Sequence, residues 1–295
     1  MKLTLRANAK INLSLDITGR LPSGYHTLFT VMQSVTLHDT VTLRSGVPGI
    51  RLTADAPGVP TDERNTAFSA AALFYAQAGL PPEIAIDLKK RIPSRAGLGG
   101  GSADAAAVLQ GLNRLYGEPL TEKTLLALAL RVGADVPFCL AGGTKLCENL
   151  GEAMSPLPDA KAHVLIVKPQ ESVSTGEAFK AFDAGALDEH PQNAAVAEAL
   201  RAGDLKALKT CAKNVFAVLS PLPVYENVLT ALYENGAYFA SLSGSGSALF
   251  GLFDEKDAAL RAKTALEGRG RYEGVFLCET AASGISPDNE EKTEN

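Results

Sequence analysis

Nothing in this 295-residue chain approaches the roughly 18 consecutive apolar residues of a membrane-spanning helix. It also shows no signal-peptide apolar core and no Ser/Arg-rich transit segment, since Met1-Lys-Leu-Thr-Leu-Arg6 runs straight into strand-like alternation. These absences predict a cytoplasmic protein with no membrane partner. Basic residues give no excess either: 28 Lys and Arg stand against 33 Asp and Glu, a net charge of -5, and no stretch forms a basic face. Bulk nucleic-acid binding, which runs on clustered Lys and Arg, is therefore not expected. The cysteines, Cys139, Cys147, Cys211 and Cys278, are scattered with no C-x-x-C pair, which excludes the usual zinc and redox motifs and leaves reduced, buried thiols.

The length predicts two domains, each able to bury its own core. Strand-like segments lead at Leu3 to Ala7, Asn12 to Ile17, Phe29 to Leu37 and Thr40 to Leu43, with a Leu21-Pro-Ser-Gly24 turn among them. A helix from Thr66 to Ala78 follows Asn65 as N-cap and stops near Gly79. After a strand at Ile84 to Lys89 come helices from Ser102 to Tyr116 and from Thr121 to about Val132, then a strand at Thr144 to Glu148. Ser155-Pro-Leu-Pro-Asp159 reads as the linker. Beyond it lie a strand at His163 to Lys168, a short helix opened by the capping-box spacing of Ser174-Thr-Gly-Glu177, and helices at Asn193 to Arg201, Leu205 to Val218 and Val224 to Asn235. Strands at Tyr238 to Leu242 and Ala248 to Phe253, a helix from Lys256 to Glu267 and a strand at Gly274 to Cys278 finish the order. Strands with helices on one face in both halves give an α+β class. The expected division is residues 1–157, residues 158–282, and a polar tail over 283–295 that reads as disordered.

Between Lys90 and Leu112 the chain carries its strongest motif. Gly97, Gly99, Gly100 and Gly101 crowd the turn between a strand and an alanine-rich helix, where glycine permits positive φ and close backbone approach to a ligand. Free N–H groups and the positive dipole end at the helix start suit an anion, so the loop reads as a phosphate cradle. A Walker loop is excluded, because no lysine follows the glycines. The dinucleotide fingerprint G-x-G-x-x-G fails too, since its third glycine would fall on Ser102 or Asp104.

Pro93, Gly97-Leu-Gly-Gly-Gly101 and Ser102 resemble the phosphate loop of the GHMP kinases, whose pattern is roughly P-x-x-x-G-L-G-S-S-A. Ala9-Lys-Ile-Asn12 resembles that family's first motif, and Ser243-Gly-Ser-Gly-Ser247 its third, a glycine loop that braces the phosphate loop. Ala103 departs from the pattern where many members carry a second serine. Gly24-Tyr-His26, Gly133-Ala-Asp-Val-Pro137 and Val173-Ser-Thr175 narrow the likeness to the branch that acts on a cytidine diphosphate-linked methylerythritol in the non-mevalonate route to isoprenoids. The resemblance implies an N-terminal ribosomal-protein-S5-like domain, a C-terminal ferredoxin-like domain, ATP as co-substrate with Mg²⁺, and a monomer or weak homodimer. It implies γ-phosphoryl transfer to the substrate's 2-hydroxyl. A homoserine- or mevalonate-type kinase and a non-catalytic nucleotide-binding homologue are the competing readings. The Tyr-His pair speaks against the first and intact Lys10 and Asp135 against the second.

Residue by residue, the resemblance implies Lys10 and Asp135 as catalytic, the aspartate facing the hydroxyl and the ammonium holding it ionised. Asp135 also stands two residues before Pro137, a good N-cap position. Asn12 is expected to bond substrate, Tyr25 to stack on cytosine, His26 to read its polar edge, Phe179 to cover the other face, and Thr175 to make a further contact. Asn65, Pro93, Gly97, Leu98, Gly99, Gly100, Gly101, Ser102 and Ala103 are expected at ATP, with Asn65 equally suited to a helix cap. Ser102 is the one residue given a role toward metal. Ser243, Gly244, Ser245 and Gly246 brace the phosphate site. Asp104 reads as a favourable acid in the first helical turn.

Overall fold

Alternation near the N-terminus builds one strand, β1 (Lys2–Arg20), where two shorter ones were expected. Residues 7–17 are buried throughout, so both faces of the strand are covered and its polar members Asn8, Lys10, Asn12, Ser14 and Asp16 are drawn inside. The next strand, β2 (His26–Ala54), pairs with it antiparallel along nearly its whole length, with register shifts between Asn8 and Lys10 and between Asn12 and Ser14. Such bulges re-aim side chains, here at the positions that reach the cleft described below. The structure is a computed structural model that describes residues 1–22, 24–185, 187, 189–219, 221–269 and 272–288.

The first half continues through α1 (Thr66–Ala78), β3 (Glu83–Lys89), α2 (Gly100–Leu115), α3 (Glu122–Val132), α4 (Val136–Ala141), β4 (Thr144–Asn149) and β5 (Ala153–Leu157). Its sheet runs β4, β5 outward from β2, with β3 also on β2. The alanines of α2 let the helix sit close among its neighbours: Ala103, Ala105, Ala106 and Ala107 are fully buried where α2 packs on β1, β2, α1 and α4. The second half holds β6 (His163–Pro169), α5 (Thr175–Ala184), α6 (Asn193–Arg201), α7 (Leu208–Cys211), α8 (Val215–Leu219), α9 (Pro223–Glu234), β7 (Phe239–Leu242), β8 (Leu249–Phe253), α10 (Lys256–Gly268) and β9 (Tyr272–Glu279). Its antiparallel sheet has the order β7-β8-β6-β9, with α9 and α10 packed on it. Two buried clusters result: the larger joins the first half to one side of the second through Val164, Ile166, Phe250 and Leu252, and the smaller lies in the second half but takes in Leu15 and Ile17 of β1. Burying each such Leu or Ile contributes about 1.5–3 kcal/mol before entropy is counted.

Three expectations are corrected. The segment read as a linker begins in β5, which pairs with β4 and places Pro156 on the sheet's outermost strand, where a missing N–H costs no ladder bond. The tail expected to be disordered starts with a last strand, β10 (Ile285–Pro287), antiparallel to β1 at Leu5 to Ala7, and Ile285 is buried there. The remainder of that tail, 289–295, lies outside the described residues. The single helix expected over Leu205 to Val218 is a 3₁₀ turn (Leu205–Ala207), α7 and α8. It is interrupted because Lys213 accepts the Leu15 N–H and Asn214 is spent on a loop of the site.

Candidate active site

The phosphate loop runs from the end of β3 to the start of α2. The helix begins at Gly100, two residues before the expected start, and Gly99 is its N-cap with φ 71°. Gly97 has φ 74° and lies so close to the second glycine loop that a Cβ there would stand 2.0 Å from the Ser243 carbonyl oxygen. The contact is fastened by the Ser243 hydroxyl donating to the Gly97 carbonyl at 2.9 Å and by the Ala248 N–H donating to the Ala96 carbonyl at 3.1 Å. Ser243, Gly244, Ser245 and Gly246 are thus brought against the phosphate loop. Asn214, which the sequence reading missed, holds this second loop by donating to the carbonyls of Leu242 and Gly244, each at 2.8 Å.

Lys10 threads between the two loops. Its backbone N–H donates to Leu98, and its side chain is only 4 % exposed. The ammonium donates to Asn12 Oδ1 at 2.8 Å and lies 3.4 Å from Asp135 Oδ2. Asp135 occupies the N-cap position of α4 but makes no side-chain capping bond, and 41 % of its side chain is exposed. The carboxylate is therefore free of the cap role that its place before Pro137 suggested, and it faces the same open space as Lys10.

Asn12, expected as a substrate contact, is also hydrogen-bonded on both sides within the protein. Its Oδ1 accepts from Lys10 and from the Gly244 N–H at 2.9 Å, and its Nδ2 donates to the Thr30 hydroxyl at 2.8 Å. It lines the cleft, but its amide fixes Lys10 and the bracing loop. Asn65 proves to be the N-cap of α1: Oδ1 accepts from Ala67 at 2.9 Å and Nδ2 donates to Pro60 at 2.7 Å, and the residue is buried. Its neighbour Thr66 lines the cleft and donates to the Gly101 carbonyl at 2.7 Å. Ala103 is buried in the core beneath the loop and is not part of the cleft wall, because α2 turns it toward the sheet.

Lys10, Asn12, Tyr25, His26, Pro93, Gly97 to Ser102, Asp135, Thr175, Phe179, Gly244 and Ser245 all line one cleft of about 1150 Å³. That exceeds the usual range for a single small-ligand pocket, about 300–1,000 Å³. At the far end both residues expected to sandwich a base, Tyr25 and Phe179, line the cleft. Phe179 is stacked on His26 (centroids 4.9 Å, planes 15° apart), and Tyr25 is 67 % exposed. Phe179 and Phe182 lie on one face of α5 and His26 opens β2 beside them, so the imidazole is packed against both rings at the cleft wall. Ser174 makes no capping bond, and Thr175 is hydrogen-bonded to the Ser245 hydroxyl at 3.0 Å, which ties α5 to the bracing loop.

Below the phosphate loop lies a charge cluster that the sequence reading missed. Asp104 sits in the second turn of α2, not the first, and is 2 % exposed. Lys90 bridges it to Asp39, whose Oδ1 also accepts the N–H groups of Arg91 and Ile92. Burial opposes the Lys90 charge, yet the two carboxylates raise its pKa. Burial pushes the Asp104 carboxyl up to about 7. Asp104 Oδ1 has no hydrogen-bond partner among the described residues. Burial likewise pushes the Cys139 thiol, behind Gly99 and Lys10, well above its ordinary range, so it stays protonated.

The chain matches known proteins in sequence over both glycine-loop regions. Residues 65–143 match the GHMP kinases N terminal domain, and residues 196–271 match the GHMP kinases C terminal domain. A 4-diphosphocytidyl-2-C-methyl-D-erythritol kinase of Syntrophomonas wolfei is 38 % identical over 278 residues, 93 % of this chain and 97 % of that one. The chain belongs to the GHMP kinase family. A second relative, from Caldicellulosiruptor saccharolyticus and of the same name, is 39 % identical over 90 % of this chain and 93 % of its own. A crystal structure of a 4-(cytidine 5'-diphospho)-2C-methyl-D-erythritol kinase superposes with TM-score 0.79 at 32 % identity, covering 95 % of this chain and 99 % of that one. A homoserine kinase from Cytophaga hutchinsonii (TM-score 0.74, 23 % identity, 97 % and 96 % covered) shares the fold of this GHMP kinase. Among the described residues, no helix is long and apolar enough to cross a membrane, and no cluster of His, Cys, Asp and Glu is built to hold a metal.

Proposed function

We propose that this GHMP kinase transfers the γ-phosphoryl group of ATP to the 2-hydroxyl of 4-diphosphocytidyl-2-C-methyl-D-erythritol, giving the 2-phosphate and ADP. The observation that carries the mechanism is the Lys10–Asp135 pair, 3.4 Å apart in the cleft that also holds the phosphate loop. Phosphoryl transfer asks the protein mainly for positioning and charge stabilisation. The backbone amides of Gly97 to Ser102 and the start of α2 offer donors to the phosphates. The substrate oxygen forms a bond to the γ-phosphorus as the bond from that phosphorus to the β-bridging oxygen breaks. Asp135 takes the hydroxyl proton, a contribution of about 10²- to 10⁴-fold. Lys10, held by Asn12, places its charge where negative charge grows on the transferring group.

Magnesium is part of the proposal. Asp104 is committed to Lys90 inside the fold, so the cleft presents a sparse set of hard oxygen donors, among them the Ser102 hydroxyl. That set fits an ion held largely by phosphate oxygens and water, with Ser102 as its protein contact. When bound, the ion neutralises phosphate charge. At the far end of the cleft, Tyr25, His26 and Phe179 supply flat, partly polar surfaces suited to a nucleobase.

The test is incubation of the protein with ATP, magnesium and the cytidine substrate, following ADP release and product mass. One phosphoryl group gained, only with the cytidine substrate present, supports the reading. ATP binding without transfer to it, with transfer to homoserine or mevalonate, overturns it.

A further inference from the structure

We infer that Asp183, backed by Arg20, sets the base specificity of the cleft by fixing which nitrogen of His26 carries hydrogen. The inference rests on the proposed cytidine substrate and deepens it.

Phe179, Phe182 and Asp183 project from one face of α5, and all three meet the His26 ring. Phe179 stacks on its face, Phe182 meets it edge-on at 5.7 Å with planes 84° apart, and Asp183 Oδ1 lies 2.7 Å from Nε2. The ring's plane and its rotation in that plane are both held. Its side chain is 9 % exposed and lines the cleft. An ionised carboxylate only accepts hydrogen bonds, so Nε2 must be the donor. In the neutral imidazole the other nitrogen is then an acceptor. Nδ1 has no hydrogen-bond partner among the described residues.

Arg20 keeps Asp183 in this role. Its Nη1 lies 3.7 Å from Asp183 Oδ2, while its Nε donates to the Gly24 carbonyl at 3.2 Å. One guanidinium thus balances the carboxylate and ties it to the turn that delivers Tyr25 and His26. Only the neutral ring offers an acceptor at Nδ1.

An acceptor at this position distinguishes the two pyrimidines. Cytosine presents an amino donor at C4, where uracil presents a carbonyl acceptor. Nδ1 as acceptor meets the cytosine amine and repels the uracil oxygen. Asp183 touches no base in this scheme. It is a positioning residue that acts through His26.

The test compares wild type, Asp183→Ala and Asp183→Lys on the cytidine diphosphate-linked substrate and its uridine counterpart, with ¹⁵N chemical shifts of the His26 ring read alongside. Asp183→Ala should raise KM for the cytidine substrate about tenfold, the worth of one charge-assisted hydrogen bond, with the loss in KM more than in kcat. Asp183→Lys supplies a donor to Nε2, moves the hydrogen to Nδ1 and should shift the cytidine-to-uridine ratio toward uridine by at least as much. In wild type the shifts should report a protonated Nε2 and a bare Nδ1. Unchanged KM and base ratio in both variants, or a wild-type ring protonated at Nδ1, overturns the assignment of Asp183 and leaves the kinase reading standing. A wild type that does not phosphorylate the cytidine substrate overturns the kinase reading, and this inference with it.

Discussion

Replacing Gly97 with alanine drives a methyl group into the neighbouring loop. The new Cβ would stand 2.0 Å from the Ser243 carbonyl oxygen, 2.9 Å from its carbon and 3.3 Å from the Gly246 nitrogen. All three are backbone atoms, so no side chain can rotate away, and the two glycine loops must part by roughly 1 Å to restore ordinary van der Waals separation. Left-handed φ with a Cβ costs about 1–2 kcal/mol. Parting the loops strains the Ser243–Gly97 and Ala248–Ala96 hydrogen bonds, worth about 0.5–1.5 kcal/mol each. The sum is about 2–5 kcal/mol, a fall in Tm of roughly 3–8 °C for a chain of this size. Displacing phosphate donors by about 1 Å costs on the order of 100-fold in turnover. Gly79→Ala is the matched control: its φ is 67° and nothing lies within 4 Å of its Cβ, so it carries the backbone cost alone. The assay is ADP release, giving kcat and KM for ATP, with thermal unfolding of both variants. If Gly97→Ala loses no more Tm than Gly79→Ala and keeps kcat/KM within about threefold of wild type, the loops are not in the contact described and the reasoning fails.

Further expectations follow from the same geometry. Asp135→Asn should lower kcat about 10²- to 10⁴-fold and Lys10→Met about 10²- to 10³-fold, both with cooperative unfolding retained; a wild-type rate in either removes that residue from the chemistry. Asn214→Ala deletes both donors to the bracing loop and should cost about 2–4 kcal/mol and raise KM for ATP; an unchanged Tm would show that the loop holds itself. Burial lifts the Asp104 carboxyl to about 7, above its unfolded value near 3.9. The native state therefore binds the proton more firmly, and this contribution to stability is full below about pH 4 and lost as pH rises toward 7. Asp104→Asn, neutral throughout, should flatten the fall in Tm between about pH 4 and pH 7, and parallel profiles for variant and wild type would contradict the assignment.

The glycine loops were legible because their chemistry is local. Four glycines between a strand and a helix demand an explanation wherever the chain goes next. β1 was legible only in pieces for the opposite reason. Asn8, Lys10, Asn12, Ser14 and Asp16 alternate strictly with apolar residues, the pattern of a strand with one wet face, yet that polar face is buried because the strand carries part of the site inside the fold. Local rules break where function claims the residue. Asn65 left two readings open, and the structure shows the cap, with Oδ1 accepting from Ala67 and Nδ2 donating to the Pro60 carbonyl. The Lys90 bridge joins Asp39 across 51 positions, and His26 meets Asp183 across 157, separations that no short motif spans. Proline in Ser155-Pro-Leu-Pro-Asp159 suggested a linker because an outer strand and a linker tolerate the same residue, and pairing with β4 is visible only in three dimensions.

The most direct test of the account is phosphorus NMR of the reaction mixture with ATP, magnesium and 4-diphosphocytidyl-2-C-methyl-D-erythritol, run with wild type and with Asp135→Asn. The account predicts a new phosphomonoester on the 2-hydroxyl with one ADP formed per product in the wild type, and near-absence of both in the variant. A wild-type spectrum with ATP and the cytidine substrate unchanged, or a variant that matches the wild type, would contradict it.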